Sequence, residues 1–376
     1  MARLNGLRLP DDSKFLRRLP RMKADDQEFV DAFDRHTLFY DVFYEPETNE
    51  ISIVAPSLRT QKRLFRNLVV KVDGERIDGL EIEFLSPRTS QIRFPSPTDA
   101  PKTLRVMHKS PPKLNAQLPI NRTTTEKFAG KNALVAISKN NKLSWIRDWM
   151  RYYVEQHGAN AVVLIDNGSD QYELRDLRRA MMSVEGIEAL EILSAPYPFG
   201  PRAVDRMSVN SKFLHLSALH VAHRRCLSQA NAVLSVDIDE LVTRPGDKTI
   251  FEAVKDTELG FLSIKGEWRY AKRPEDAAQD IRHGDHVLKR IGPDALMQPK
   301  WCLDPTGPLA GNYWKVHGVL KAKRNYAHPF KYLHCRQITT NWDYDRDFEP
   351  EDRFEMAEEA DTLQEVFGKA DALPLV

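Results

Sequence analysis

Two spacings of apolar residues divide this chain. Between about residues 37 and 109 the apolar positions fall in short β-branched or aromatic runs: TLFYDVFYE, EISIVAP, NLVVKVDGERI, LEIEFLS, QIRFPSP and KTLRVMHKS. Turn-forming stretches, EPETNE, VDGE and SPRTS, separate them. Short strands broken regularly by turn residues predict a small antiparallel β-sandwich over 37–110, preceded by an N-terminal extension over 1–36. The stretch KSPPKLNAQLPINRTTTEKFAGKN, rich in Pro, Thr and Asn, predicts a linker over 111–130.

From residue 131 the pattern becomes strand, helix, strand, helix. ALVAIS is an uninterrupted apolar run, as expected of a strand covered on both faces of a parallel sheet. In KLSWIRDWMRYYVEQHG, Leu143, Ile146, Trp149, Met150, Tyr153 and Val154 form a helical stripe opposite Arg147, Asp148, Arg151 and Glu155, and Gly158 stops the helix. AVVLID, YELRDLRRAMMS, LEILSA and the long helix VNSKFLHLSALHVAHRRCLSQ follow, leading into AVLSVDIDELV. Such alternation predicts an α/β domain over 131–345 with a Rossmann-like, mostly parallel sheet and right-handed crossovers. After about residue 260 the pattern loosens, leaving FLSIKGEW, WKVHGVLKAK and KYLHCRQIT as candidate strands. The acidic tail, 346–376, predicts a helix packing through Phe354, Leu363, Val366 and Phe367.

Composition narrows this picture. With 376 residues, 41% of them hydrophobic and 29% charged, the chain has material for two domains. A formal charge of +1 gives no whole-molecule attraction to nucleic acid. Cys226, Cys302 and Cys335 are odd in number and lack C-x-x-C spacing, which predicts free thiols in a reducing compartment. The basic start lacks an apolar h-region, and no run approaches the roughly 20 apolar residues of a membrane span. The expectation is a cytoplasmic protein, either free or peripheral to the inner face of a membrane. Walker, Rossmann-glycine, His-Glu-x-x-His and Gly-x-Ser-x-Gly motifs are all missing from the sequence.

In an open α/β sheet, ligands bind beyond the carboxyl ends of the strands. Three predicted strands end there in polar residues: Ser138-Lys139-Asn140-Asn141, Asp166-Asn167-Gly168-Ser169-Asp170 and Asp237-Ile238-Asp239-Glu240. On a strand Asp237 and Asp239 point to one side, so their carboxylates converge and call for a cation between them. Mg²⁺ or Mn²⁺ shared with substrate phosphates would answer that, and would neutralise a diphosphate leaving group. The competing reading is that these aspartates only cap the next turn.

The segments ISKNNKLSWIRDWMRYYVEQHGANAVVLIDNGSD and ANAVLSVDIDELV resemble the nucleotide-sugar-binding core of GT-A fold glycosyltransferases, of the family-2-like and family-92-like kind. The resemblance covers roughly residues 131–245 and is fainter to about 345. It implies a nucleoside-diphosphate-sugar donor, UDP-linked by expectation, a glycan or glycolipid acceptor, a metal ion and inversion at the anomeric carbon. It places Ser138, Asn140, Asp166, Asn167 and Ser169 around the nucleotide, with Asp170 shaping the loop. Asp237 would face ribose or metal, and Asp239 would be the principal metal ligand. Lys139-Asn140-Asn141 and Tyr152-Tyr153 stand where the family has Lys-Asn-Glu and Tyr-His.

A further metal ligand in such enzymes is often a late histidine, which singles out His334 of KYLHCRQITT, with His317 of WKVHGV competing. His215, His220 and His223 fall at mixed helical phases and read as structural. Inversion needs a carboxylate base. Glu267, Asp304 and Asp343 are candidates, and Glu267 comes first because it follows a strand just after Asp-x-Asp. An ion pair with Arg269 or Lys265 is its alternative. Trp268, Trp301, Trp314 and Trp342 offer sugar-stacking faces or ordinary packing. Two other functions compete: a sugar-phosphate nucleotidyltransferase, and a glycan-binding protein with a degenerate transferase domain.

Overall fold

The computed structural model describes residues 2–65, 67–108, 114–272, 280–341, 354–359 and 362–367. By contacts the chain forms two units. The first comprises Met1–Lys127, Ile165–Gly168 and Leu193–Leu227, the second Phe128–Leu164, Ser169–Ile192 and Ser228–Val376.

The first unit holds a five-stranded and a four-stranded sheet. The strand Asp41–Glu45 turns back antiparallel into Glu50–Pro56, which pairs with Thr89–Pro95. In the other sheet Thr103–His108 lies between Asn115–Pro119 and Leu68–Val72. Leu68–Val72 reverses into Glu75–Ile77 through Asp73 and Gly74, both at positive φ (46° and 95°). Asp-Gly suits this two-residue turn because both central residues must be left-handed. Val42, Ile53 and Ile92 of one sheet join Val70, Val72, Leu104 and Val106 of the other in one apolar cluster.

The long helix expected over residues 209–229 is broken. Arg206–Asn210 starts on an Asp205 cap, Phe213–Ala222 follows after Ser211-Lys212, and His223–Leu227 is a π-turn. Lys212, at φ −81° and ψ 75°, leaves helical geometry, so the helix restarts there. The restarted segment is apolar nearly all round because it is buried. His220 Nε2 lies 2.8 Å from Gln91 Oε1, and burial pushes its pKa down to about 3.

The second unit contains β1 Asn132–Ser138, α1 Leu143–His157, β2 Ala161–Asp166, α2 Leu174–Met182, β3 Ala189–Ser194 and β4 Ala232–Ser235. It continues with β5 Glu240–Val242, α3 Ile250–Lys255, β6 Phe261–Arg269, β7 Lys300–Leu303 and β8 Lys331–Cys335. The last residues of β2 and β3 group with the first unit. The strand order is β3-β2-β1-β4-β7-β6-β8-β5. β1/β4 and β6/β8 are parallel, whereas β4/β7, β7/β6 and β8/β5 are antiparallel. The sheet is therefore mixed, and the mostly parallel expectation fails after β4, because β7 runs antiparallel to both of its neighbours, β4 and β6.

α1 buries Trp145, Ile146, Trp149, Met150, Tyr152 and Tyr153. Gly158, at φ 66°, ends it as expected, donating to the Val154 carbonyl at 3.0 Å. The Tyr152 hydroxyl donates to the Val242 carbonyl (2.8 Å) and that of Tyr153 to the Glu240 carbonyl (2.9 Å), so this pair fixes β5. Phe354 joins Tyr270, Val287 and Leu288, while Leu363, Val366 and Phe367 join the main core, with Thr362–Phe367 helical. Among the described residues no helix is long and apolar enough to cross a membrane. All three cysteines are buried, and none is in a disulfide.

His157, at the end of α1, supplies a pH dependence. Its Nε2–H donates to the Val242 carbonyl (2.8 Å) and its Nδ1 accepts from the Ile250 N–H (3.2 Å), an arrangement that requires the neutral ring. Burial lowers its pKa from 6.5 to about 4. The unfolded chain binds this proton more readily, so the stabilisation is complete above pH 6.5 and disappears as pH falls toward 4. Between pH 7 and 4.5 urea unfolding should therefore lose about 2.5 kcal/mol more in the native chain than in His157→Gln. Equal losses in both would refute this origin.

Candidate functional site

β4 ends at Ser235, and Asp237 to Glu240 form a turn in which the Glu240 N–H donates to the Asp237 carbonyl at 3.1 Å. Asp237 and Asp239 are thus not alternating strand residues, and their carboxylates meet different partners. Asp237 Oδ2 accepts from the Lys300 ammonium. Glu240 Oε2 accepts from the Asp237 N–H (2.8 Å) and pairs with the same ammonium at 2.9 Å. The cation required between two carboxylates is supplied here by Lys300, at the start of the antiparallel strand β7. Burial opposes the charge on Lys300, but Asp237 and Glu240 overcome it and raise its pKa above the ordinary lysine value. Burial likewise raises Glu240, with Lys300 pulling the other way.

Asp239 turns to β8. Its Oδ2 lies 2.9 Å from His334 Nε2, and its carbonyl accepts the Cys335 N–H at 2.7 Å. His334 Nδ1 is 3.3 Å from Met297 Sδ and 3.9 Å from Glu240 Oε1. Asp239, Glu240 and His334 each present a ligating atom, all within 4.8 Å of one another. Antiparallel register opposes Glu240 to His334, and parallel register sets Trp268 beside His334. The two rings stack at 4.2 Å with planes 20° apart, which restricts the imidazole.

The turn is held from beneath. His283 Nε2–H donates to the Ile238 carbonyl at 2.8 Å. Arg282 grips Asp148 of α1 through two bonds, at 2.6 and 2.5 Å. Burial works against charge on Asp148, yet the His283 ring 3.8 Å away and the two hydrogen bonds from Arg282 keep its pKa below the ordinary carboxylate range.

The loops after β1 and β2 are stitched by Asn140, at φ 57°, a left-handed position that Asn tolerates. Its N–H donates to Ser169 Oγ (2.9 Å), its Nδ2 to Asp170 Oδ1 (2.9 Å), and its Oδ1 accepts the Asp170 N–H (2.9 Å). Both ends of this amide serve loop geometry. Ser138 Oγ accepts from Asn141 Nδ2 at 3.0 Å. In the first unit, Asp166 accepts the Gly168 N–H (3.1 Å), and Asn167 Nδ2 donates to the Ala195 and Tyr197 carbonyls (2.7 and 2.8 Å).

Other expected residues lie elsewhere. His317 Nδ1 is bonded to the Pro299 carbonyl at 3.2 Å and does not join Asp239. Glu267 pairs across the strands with Leu333 while Trp268 pairs with His334, so strand alternation sets Glu267 on the opposite face from His334. It is bound by Lys331 (2.9 Å) and Arg269 (3.4 Å). Partial burial would raise its pKa, but the hydrogen bond and charge of Lys331 bring it below the ordinary value. Asp304 lies past the far end of β7 from Lys300, about 13 Å along an extended strand. It pairs with Lys255 at 2.5 Å, which outweighs burial and lowers its pKa. Trp301 and Trp314 are buried and meet edge to face at 5.3 Å. Asp343 and Trp342 lie outside the described residues.

Glu240, Lys300 and Trp268 as a partner of His334 were not foreseen. Glu240 was visible beside the motif, but a strand would turn it away from Asp239. Lys300 carried no local signal, since only the antiparallel return of β7 brings it to the turn.

No family model matches the chain, and no curated protein matches it significantly. Several solved glycosyltransferase structures share partial similarity with it. Staphylococcus aureus TarS 1-349 is 12% identical at a TM-score of 0.30, covering 55% of this chain and 60% of its own. The galactosyltransferase LgtC, in complex with donor and acceptor sugar analogues, is 13% identical at 0.27, covering 46% and 58%. The mannosyltransferase PcManGT from Pyrobaculum calidifontis, in complex with GDP-Man and Mn²⁺, is 18% identical at 0.22, covering 40% and 38%. The chain spans less than two thirds of the length of each.

Proposed function

We propose that the chain is a metal-dependent glycosyltransferase that moves a sugar from a nucleoside-diphosphate donor, UDP-linked by expectation, to a hydroxyl of a glycan or glycolipid. In this reading residues 131–345 are the catalytic domain, and the two sheets over 37–110 form an accessory sandwich. The observation that carries the proposal is the meeting of Asp239, Glu240 and His334 just past the carboxyl end of β4. The segments resembling a nucleotide-sugar-binding core support it independently.

Two carboxylates and one imidazole form a donor set that suits Mn²⁺ or Mg²⁺, with positions left over for phosphate oxygens and water. Asp239, Glu240 and His334 would hold the ion, which when bound neutralises the charge that develops on the diphosphate leaving group. The chain's own residues prepare that site. Lys300 fixes the carboxylates of Asp237 and Glu240, Trp268 restrains the imidazole, and His283 anchors the turn through the Ile238 carbonyl. Inversion needs a carboxylate to take the acceptor proton. Glu267 and Asp304 are both held in ion pairs away from the cluster, so we assign that role to neither.

Calorimetry with UDP and GDP, with and without Mn²⁺, tests the reading. One nucleotide should bind only when Mn²⁺ is present. Failure of both to bind a folded chain would overturn the assigned donors and favour a glycan-binding protein.

A further inference from the structure

The N-terminal unit contains a cleft of about 720 Å³ far removed in chemistry from the carboxylate cluster. Among the described residues Lys14, Arg18, Arg63 and Arg76 line it, and no Asp or Glu does. Among the described residues Lys14, Arg18 and Arg63 make no ion pair. Arg76 is bonded to Asp78 at 2.8 Å, but both side chains are mostly exposed and such a pair holds little. Four cations around one concavity repel each other, and an anion entering it removes that cost.

The rest of the lining limits what the anion is attached to. Leu64 is buried, and Phe15, Leu68 and Val69 are half-buried, so the apolar floor does not protrude. The Phe15 ring meets His108 edge-on at 4.8 Å, which holds the aromatic side chain in place. Thr60 and Asn67 add exposed hydroxyl and amide groups. A membrane-inserting surface would need apolar side chains that stand out from it. Duplex nucleic acid would need a basic stripe, and the whole chain carries only +1. Clustered, exposed cations, hydroxyl-matching groups and a half-buried aromatic together suit a polyhydroxylated ligand with spaced negative charges.

We propose that this cleft binds a saccharide chain bearing carboxylate or phosphate groups. The assignment stands on the N-terminal unit alone and does not depend on the transferase reading. The volume falls within the range of roughly 300–1,000 Å³ usual for ligand sites, enough for a short segment of such a chain.

Binding of fluorescent oligogalacturonate and of a sugar-phosphate oligomer to the full chain tests this, with neutral malto-oligosaccharide as control. At least one anionic oligomer should bind, its affinity falling as salt rises, and the neutral one should not. Which of the two binds separates carboxylate from phosphate recognition. The double variant Arg18→Glu, Arg63→Glu should bind at least tenfold more weakly with unchanged thermal unfolding, since both side chains are exposed. Asp239→Asn should bind the oligomer as the native chain does. No binding of either anionic oligomer, or equal binding by the double variant, would overturn the proposal. So would loss of binding in Asp239→Asn, or tighter binding of duplex DNA or phosphatidylglycerol vesicles through the same arginines.

Discussion

Asp239→Asn should abolish Mn²⁺-dependent nucleotide binding and sugar transfer, each by on the order of 100-fold or more. Removing a partner that only orients a metal ligand already costs about 10–100-fold, and a ligand itself costs more. Asn keeps the size of Asp and a carbonyl oxygen facing His334 Nε2, now 2.9 Å from Asp239, so the turn should survive. The change therefore removes charge with little change of shape. Circular dichroism and thermal unfolding should match the native chain while calorimetric binding disappears. Glu267→Gln is the informative contrast, because Glu267 faces away from His334 and is held by Lys331 at 2.9 Å. It should leave nucleotide binding within about twofold, as surface changes away from a site usually do. If Asp239→Asn retained Mn²⁺-dependent binding, the metal role of this turn would be refuted. If Glu267→Gln lost it as well, the two faces of the sheet would not be functionally separate.

The contrast also marks how far the sequence could be read. The first α/β elements were legible because their signals are local: ALVAIS is apolar throughout, the stripe of α1 repeats at helical spacing, and Gly158 stops it at φ 66°. Asp237 and Asp239 are legible as a motif, but strand alternation does not apply to them because β4 ends at Ser235, before either one. That turn moves Glu240 into the cluster beside Asp239 and sends Asp237 to Lys300. The remaining partners depend on pairing between distant segments. Lys300 arrives through β4/β7, His334 through β8/β5, and Trp268 through β6/β8. Register between strands far apart in sequence is set by the packed sheet, so no local pattern around Lys300 or Trp268 announced it. Of the two histidines left open by sequence, His334 is bonded to Asp239, whereas His317 is bonded to the Pro299 carbonyl.

Lys300→Met should destabilise the second unit by about 3–5 kcal/mol, the usual result of removing one partner from a buried ion pair. Glu240 is the reason. Its side chain is 2% exposed and has the Lys300 ammonium at 2.9 Å, whereas Asp237 is 40% exposed and regains water when the lysine is gone. Met matches the length and much of the volume of the lysine stem, so a cavity adds little and the measured loss reports the stranded charge. Urea unfolding of the full chain, compared with Lys300→Arg, gives the measurement. The variant should also respond more strongly to Mn²⁺. Removing one positive charge beside Asp239, Glu240 and His334 favours a divalent cation there, and an ion that binds only the folded state raises stability as its concentration rises. A loss below about 1 kcal/mol, the scale of an exposed pair, would mean that Glu240 does not depend on the ammonium. A large loss without an enhanced Mn²⁺ response would retain Lys300 as a structural cation and remove it from the electrostatics of the proposed metal site.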